Sequence, residues 1–296
     1  MTKVAFLGLG NMGAGMAANL VRAGFAVAGF DPVEAARAKA AEEGVSPAPS
    51  IEAAVRGAEA VVSMLPAGRE VREAYERHVF DAARPGALCL DCSTIDVASA
   101  RAVSEAAARR GFLMVDAPVS GGVAAARSGD LTFMVGGADD AFARAGPILA
   151  GMGRAVIHAG ASGAGQAAKI CNNMLLGVSM IGVCEAFVLA EKLGLDAQTF
   201  FDIASKASGQ CWSLTSYCPV PGPAPAAPSN HGYAPGFAVA MMLKDLRLAK
   251  EAAAGVAAAT PLGAHAEALY AAFADAGSAG KDFSGVIEFI RKMNPA

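Results

Sequence analysis

Charge is scarce in this chain and thinly spread. Only 17% of its 296 residues are Asp, Glu, Lys or Arg, the formal net charge is -3, and the arginines are scattered along the sequence. The basic footprint of a nucleic-acid surface is therefore missing, and no nucleic-acid partner is expected. A hydrophobic content of 54% excludes a disordered chain, and the length suffices for two domains with a sizeable core. The four histidines, His78, His158, His231 and His265, stand far apart. Cys89 and Cys92 form one C-x-x-C with no second pair at zinc-ligand distance, and Leu88-Cys89-Leu90-Asp91 reads as a buried strand, so no metal is expected and the thiols belong to the core. No basic-then-apolar leader appears at Met1-Thr2-Lys3, which with six cysteines suggests a reducing cytoplasm. The longest apolar stretch, Met174 to Cys184, reaches Ala190 only by crossing Glu185. It falls short of the roughly 20 residues a bilayer demands, and a buried helix is expected, with no membrane partner.

What the sequence does contain begins at once. The apolar run Val4-Ala5-Phe6-Leu7 breaks into Gly8-Leu9-Gly10-Asn11-Met12-Gly13 and then into Met16-Ala17-Ala18-Asn19-Leu20, the pattern of strand, glycine turn and helix. A backbone that turns tightly, approaches a pyrophosphate and packs helix on strand needs glycine at those three places, and the helix N-terminus offers free amides to the anion. A second strand, Phe25 to Phe30, ends at Asp31, 18 residues past Gly13. A carboxylate there accepts from an adenosine ribose and repels a 2'-phosphate, so NAD is the expected cofactor. Arg22 and Arg37 are the nearest cations and neither directly follows Asp31. Asp31 also suits a helix cap ahead of Pro32, a role compatible with the first.

From Thr2 to about Ile157, β-rich runs (Ala60-Val61-Val62-Ser63, Ala87 to Leu90, Phe112 to Val115, Leu131 to Val135, Ala155 to Ile157) alternate with alanine-rich helical ones. Such alternation implies a mostly parallel sheet with helices on both faces and the ligand at the C-terminal strand edge. After Gly160-Ala161-Ser162-Gly163 the β-branched runs stop and helical spacing takes over. The expected fold is an α/β Rossmann-type domain over residues 1–162 and an all-α domain over 163–296, joined by a long helix from about Ala164 to Lys192. The segment Pro219 to Pro225 reads as an exposed loop of polyproline character.

Met64-Leu65-Pro66 and Asp91-Cys92-Ser93-Thr94 end the fourth and fifth strands and so fall on the cofactor edge; taken alone, Pro66 and Thr94 are plain loop and cap residues. Asp116-Ala117-Pro118-Val119-Ser120-Gly121-Gly122 ends a sixth, where a serine and two glycines can aim a hydroxyl and amides at a carboxylate, or simply make a turn. In Gly165-Gln166-Ala167-Ala168-Lys169-Ile170-Cys171-Asn172-Asn173, Lys169 and Asn173 share a helix face within an apolar run. A lone lysine is ordinarily a solvated charge, but these neighbours argue against that.

These motifs, in this order and with Lys244-Asp245-Leu246, resemble the β-hydroxyacid dehydrogenases over nearly the whole chain. The resemblance implies Lys169 as catalytic acid/base and Asn173 as the residue that positions substrate. It implies Ser120, Gly121 and Gly122 at the substrate carboxylate, and Gly8, Leu9, Gly10, Asn11, Met12, Gly13, Asp31, Met64, Leu65, Pro66, Thr94, Lys244 and Asp245 around NAD. One departure is Gly15, where the family often carries proline. Within the family, Met64 to Gly68, Asp91 to Asp96, Cys211-Trp212-Ser213 and Lys281-Asp282-Phe283-Ser284 narrow the expected reaction to oxidation of 3-hydroxyisobutyrate to methylmalonate semialdehyde, as in valine breakdown. Trp212 and Phe237 would supply an apolar wall for the methyl group, though ordinary core roles suit them equally.

Oxidising an alcohol by hydride loss requires a group to take the hydroxyl proton. Lysine does so only when neutral, which burial and a positive nicotinamide ring both favour. Reduction of tartronate semialdehyde or another short semialdehyde would use the same residues, and a non-catalytic NAD-binding scaffold would need neither Lys169 nor Asn173. The apolar helix and alanine-rich second half lead us to expect a homodimer or homotetramer.

Overall fold

Val4, Ala5, Phe6 and Leu7 are fully buried, and they alternate between two hydrophobic layers: Val4 and Phe6 enter one, Ala5 and Leu7 the other. A strand covered on both faces has no polar side to show, which is why the sequence reads here as an unbroken apolar run. The computed structural model describes residues 1–293. The chain runs β1 (Lys3–Leu7), α1 (Gly13–Arg22), β2 (Ala26–Phe30), α2 (Glu34–Glu42), β3 (Ser46–Pro47), α3 (Ile51–Val55), β4 (Ala60–Ser63) and α4 (Gly68–Ala74). A π-helical turn, Tyr75–Val79, leads into α5 (Phe80–Ala82), followed by β5 (Leu88–Asp91), α6 (Val97–Arg109), β6 (Leu113–Asp116), β7 (Val119–Ser120), α7 (Gly122–Ser128), β8 (Leu131–Gly136), α8 (Asp139–Ala150) and β9 (Gly153–Gly160). The long helix α9 (Ala164–Lys192) comes next, then α10 (Ala197–Ala204), α11 (Trp212–Thr215), α12 (Val239–Gly255), α13 (Pro261–Phe273) and α14 (Val286–Met293).

The strands form one sheet in the order β3-β2-β1-β4-β5-β6-β8-β7, with β9 beside β8. Pairing is parallel from β3 through β6 and between β8 and β9, whereas β8 runs antiparallel to β6 and β7. The order reverses between β1 and β4, where Leu7 lies beside Ser63. Open α/β sheets bind ligands at that switch point.

Three local features add to or correct these expectations. β3 and β7, strands of two residues and too short to carry a period, were not expected, and Ser120 pairs with Thr132 in β7 just before the glycine turn. Pro32 does not open a helix: α2 starts at Glu34 with Val33 as its cap residue, because the Asp31 carboxylate is held by the amides of Leu9 and Val33. The proline-rich segment is exposed only in part: Pro221, Gly222 and Pro225 are open to solvent as expected, whereas Pro219, Val220 and Ala224 are buried. The Ser229 hydroxyl donates to the carbonyls of Cys218 and Val220, Tyr233 to that of Pro219 and the Asn230 amide to that of Ala224, so the loop is stapled to itself with Pro219 and Pro228 buried.

Two compact units divide after Lys169, seven residues beyond the expected break. The opening of α9 stays with the first unit because the Asp116 carboxylate, at the end of β6, accepts from the amides of Gly163 (2.7 Å) and Gln166 (2.9 Å). The second unit is helical around Met180, Phe187, Met242, Leu246, Tyr270 and Ile287. By length and composition α9 is apolar enough to cross a membrane. One face is buried in the core, as expected of a buried helix, while Leu175 and Leu189 are 64% and 61% exposed. All six cysteines are free, and Cys89 and Cys92 point into different layers; burial pushes the Cys89 thiol up to about 12.

Candidate active site

The glycine loop joins the end of β1 to the start of α1. Gly8 adopts φ +91°, and a Cβ there would stand 2.3 Å from the Met64 carbonyl oxygen; one on Gly13 would stand 1.9 Å from that of Gly8. Both glycines are therefore demanded by the turn itself. Beside Gly10, by contrast, no atom of the described residues other than its chain neighbours comes within 4 Å of a Cβ position, which leaves room for a pyrophosphate to meet the backbone. The N-cap residue Met12 makes no side-chain cap hydrogen bond to the first turn of α1; Ala14 N donates to the Gly10 carbonyl, and the helix N-terminus favours an anion. Asp31 is tied to this loop: its Oδ2 accepts from Leu9 N at 2.8 Å and its Oδ1 from Val33 N at 2.9 Å, while Arg37 donates to the Asp31 carbonyl at 2.5 Å. Each carboxylate oxygen keeps lone pairs for ribose hydroxyls. The residues fit NAD.

A buried polar cluster lies across the switch point, where β4 and β5 end. Asp91 Oδ1 accepts from the hydroxyls of Ser63 (2.8 Å) and Ser93 (2.6 Å), and Ser93 Oγ accepts from Leu65 N at 2.8 Å. Tyr75, from the π-helical turn, lies 3.0 Å from Ser63 Oγ. Leu65 and Ser93 are thus clamped to one another, and with them the neighbours Pro66 and Thr94 that were expected at the cofactor. Asp91 Oδ2 is buried without a hydrogen-bond partner. Burial pushes its carboxyl up to about 6 against the pull of its serine donors, and burial also raises Asp116.

Ser120 closes β7, and Gly121 (φ +129°) and Gly122 (φ +68°) turn the backbone into α7. Lys169 is only 7% exposed and Asn173 only 2%, so the solvated-lysine reading falls. The Asn173 amide is oriented from both ends: Nδ2 donates to Asp245 Oδ2 at 2.5 Å, and Oδ1 accepts from Asn172 at 3.0 Å. Asp245 is buried on α12 with Lys244 Nζ 3.7 Å from its other oxygen. It was expected among the cofactor contacts, and the contact it makes here is with Asn173.

Trp212 and Phe237 belong to one aromatic group in the helical unit. Trp212, 51% exposed, stacks on Tyr217 with centroids 4.7 Å apart, Tyr217 stacks on Phe283, and Phe237 meets Phe283 edge-on. The organiser is Asp282, whose Oδ2 accepts from the Tyr217 hydroxyl and the amides of Gly236 and Phe237, and whose Oδ1 accepts from Ser284 N and Oγ. Tyr217 and the role of Asp282 were missed from the sequence. Lys281-Asp282-Phe283-Ser284 was visible as a motif, but its partners lie tens of residues upstream.

The glycine turn, an acidic residue at the end of β2 and a buried lysine at the start of α9 are the features of a nicotinamide-dinucleotide-dependent dehydrogenase. Comparison with known proteins agrees. A family model described as the NAD binding domain of 6-phosphogluconate dehydrogenase matches residues 3–160, and one described as NAD-binding of NADP-dependent 3-hydroxyisobutyrate dehydrogenase matches 163–290. The chain is 53% identical to the probable 3-hydroxyisobutyrate dehydrogenase of Mycobacterium tuberculosis, over 98% of each chain. It is 46% identical to an NAD-dependent L-serine dehydrogenase of Pseudomonas aeruginosa, over 97% of each. A solved structure of Mycobacterium tuberculosis 3-hydroxyisobutyrate dehydrogenase with L-serine superposes with a TM-score of 0.95 at 52% identity, covering 98% of this chain and 99% of that one. The chain belongs to the 3-hydroxyisobutyrate dehydrogenase family and is an NAD-dependent hydroxyacid dehydrogenase.

Proposed function

We propose that the substrate is 3-hydroxyisobutyrate, oxidised to methylmalonate semialdehyde in the catabolism of valine, and that Lys169 is the acid/base. The observation that carries this reading is the burial of Lys169 within one helical turn of Asn173, whose amide is held by Asp245. Bound NAD+ supplies the hydride acceptor, the C4 position of its nicotinamide ring. Lys169 Nζ takes the hydroxyl proton as the alcohol is oxidised and returns it in reduction. Asn173 has one amide hydrogen on Asp245 and a second left to donate to the substrate oxygen. Ser120 and the amides of Gly121 and Gly122 hold the carboxylate, and Trp212 and Phe237 receive the methyl group. The Gly8–Gly13 loop and Asp31 bind the adenosine and pyrophosphate half of NAD. Met64, Leu65, Pro66 and Thr94 serve its nicotinamide half, with Lys244 contributing from the helical unit and Asp245 acting through Asn173.

The names of the relatives favour two substrates, and a methyl group alone discriminates by about 1 to 3 kcal/mol. Formation of NADH, followed by absorbance, with 3-hydroxyisobutyrate, L-serine, glycerate and 4-hydroxybutyrate decides between them. The proposal expects kcat/KM for 3-hydroxyisobutyrate at least about tenfold above that for L-serine; the reverse order makes the enzyme a serine dehydrogenase, and preference for tartronate semialdehyde in reduction makes it a reductase. We further propose a cytoplasmic homodimer or homotetramer, in which the exposed Leu175 and Leu189 of α9 are covered by a second copy.

A further inference from the structure

Gln166 is fully buried in the first turn of α9, and both ends of its side-chain amide are used on one short stretch of backbone. Its Nε2 donates to the Ser93 carbonyl at 2.7 Å and its Oε1 accepts from Ile95 N at 3.1 Å. The amide thus acts as a neighbouring strand would, gripping the residues on either side of Thr94. Gln166 is itself held, since its own N–H donates to Asp116 Oδ2. Ser93 is gripped from the opposite side by Asp91 and Leu65. Lys169 follows three residues later, on the neighbouring position of the same helix face.

We infer that Gln166 is a positioning residue that sets the register between the lysine-bearing turn of α9 and the Ser93–Ile95 segment. This rests on the proposed roles of Lys169 and Thr94. Removing the amide would leave the Ser93 carbonyl and the Ile95 N–H without these partners, so the two bonds contribute to stability. They also add direction, because shifting α9 against Thr94 breaks both together. Reacting groups misplaced by about 1 Å lose about 100-fold in rate, so this register bears on kcat more than on affinity.

The experiment compares Gln166→Met, which keeps volume without either bond, and Gln166→Glu, which keeps shape. A protonated glutamic acid can donate to Ser93 O and accept at Ile95 N, whereas the carboxylate faces that carbonyl with no hydrogen to offer. Asp91 and Asp116, both raised by burial, lie near this amide in the unaltered protein too, so the variant is read as a ratio to wild type. For Gln166→Met the expected result is a kcat lowered at least about tenfold, a KM for the hydroxyacid within about threefold, and an NADH dissociation constant, read by fluorescence, raised about two- to tenfold. For Gln166→Glu, both the kcat ratio and the NADH-affinity ratio to wild type rise as pH falls from about 8 to 6. A methionine variant within twofold of wild type in kcat and NADH binding, or a glutamate variant whose ratios are flat with pH, overturns the inference. The glutamate variant carries the test by itself should the methionine variant not fold. If Lys169→Ala retains full kcat, the acid/base reading falls instead, and the NADH titrations still report on Gln166.

Discussion

Asn173 donates to Asp245 across 2.5 Å, from α9 to α12, with both residues nearly excluded from solvent. An asparagine amide can face either way, and this bond fixes which end meets Asp245; on the proposed mechanism the remaining hydrogen faces substrate. Asp245→Ala leaves the amide free to turn and deprives it of its acceptor, and kcat is expected to fall about 100-fold. Asp245→Asn keeps a carbonyl oxygen as acceptor and loses about tenfold or less. Steady-state kinetics of the two variants check this; equal losses would show that the charge of Asp245, and not its grip on Asn173, is what matters.

Lys169→Ala is expected to lower kcat by about 100- to 10,000-fold, with NADH binding by fluorescence titration within about threefold of wild type, because proton transfer belongs to the transition state. Lys169→Arg does not rescue it, since a guanidinium stays charged and cannot accept the proton. A matching loss of NADH affinity would make the lysine a cofactor ligand.

Asp91 links pH to stability. Burial lifts its carboxyl to about 6 from an ordinary 3.8, so the folded protein holds this proton more tightly than the unfolded chain does. The associated stability is fully present below about pH 4 and is lost as pH rises through about 6, a change of about 3 kcal/mol at about 1.4 kcal/mol per unit. Asp91→Asn does not titrate. Urea unfolding from pH 4 to pH 7 is therefore expected to show the variant gaining on wild type across that window, and a pH-independent difference would refute it.

Gly15→Ala should destabilise, although alanine ordinarily improves a helix interior by about 0.5 to 1 kcal/mol. A Cβ on Gly15 would come within 2.8 Å of the Ala126 carbonyl oxygen in α7, an acceptor already held by Asn19 at 2.7 Å. Separating α1 from α7 to admit a methyl group costs about 1 to 3 kcal/mol, read as a lower urea midpoint.

Asp31→Ser removes an acceptor for ribose hydroxyls and the charge that repels a 2'-phosphate. The KM for NAD is expected to rise at least about tenfold and the preference over NADP to narrow. Parallel kinetics with both coenzymes measure it; an unchanged preference would place discrimination elsewhere, Arg37 being the nearest candidate.

Much of this was legible in the chain because it is local. Strands buried on both faces leave continuous apolar runs, a tight turn against a phosphate leaves glycines at set intervals, and α9 runs from Ala164 to Lys192 as its helical spacing indicates. The lysine and asparagine announced themselves by standing four apart in an apolar run. The two-residue strands and the capping of α9 by Asp116 left no such trace, since each depends on residues outside its own segment.

Local order alone, then, was enough to specify the alternating sheet, the glycine turn, the acidic residue after β2 and the lysine-bearing helix, because periodicity and backbone conformation act over a few neighbours. Tertiary structure decided which way the Asn173 amide points, that a side chain at Gly15 would crowd α7, that Asp91 is pushed upward and that Gln166 grips both sides of Thr94. Those depend on atoms 72, 111 or 73 residues apart being brought within bonding distance or contact, and on the exclusion of water that makes each such contact count.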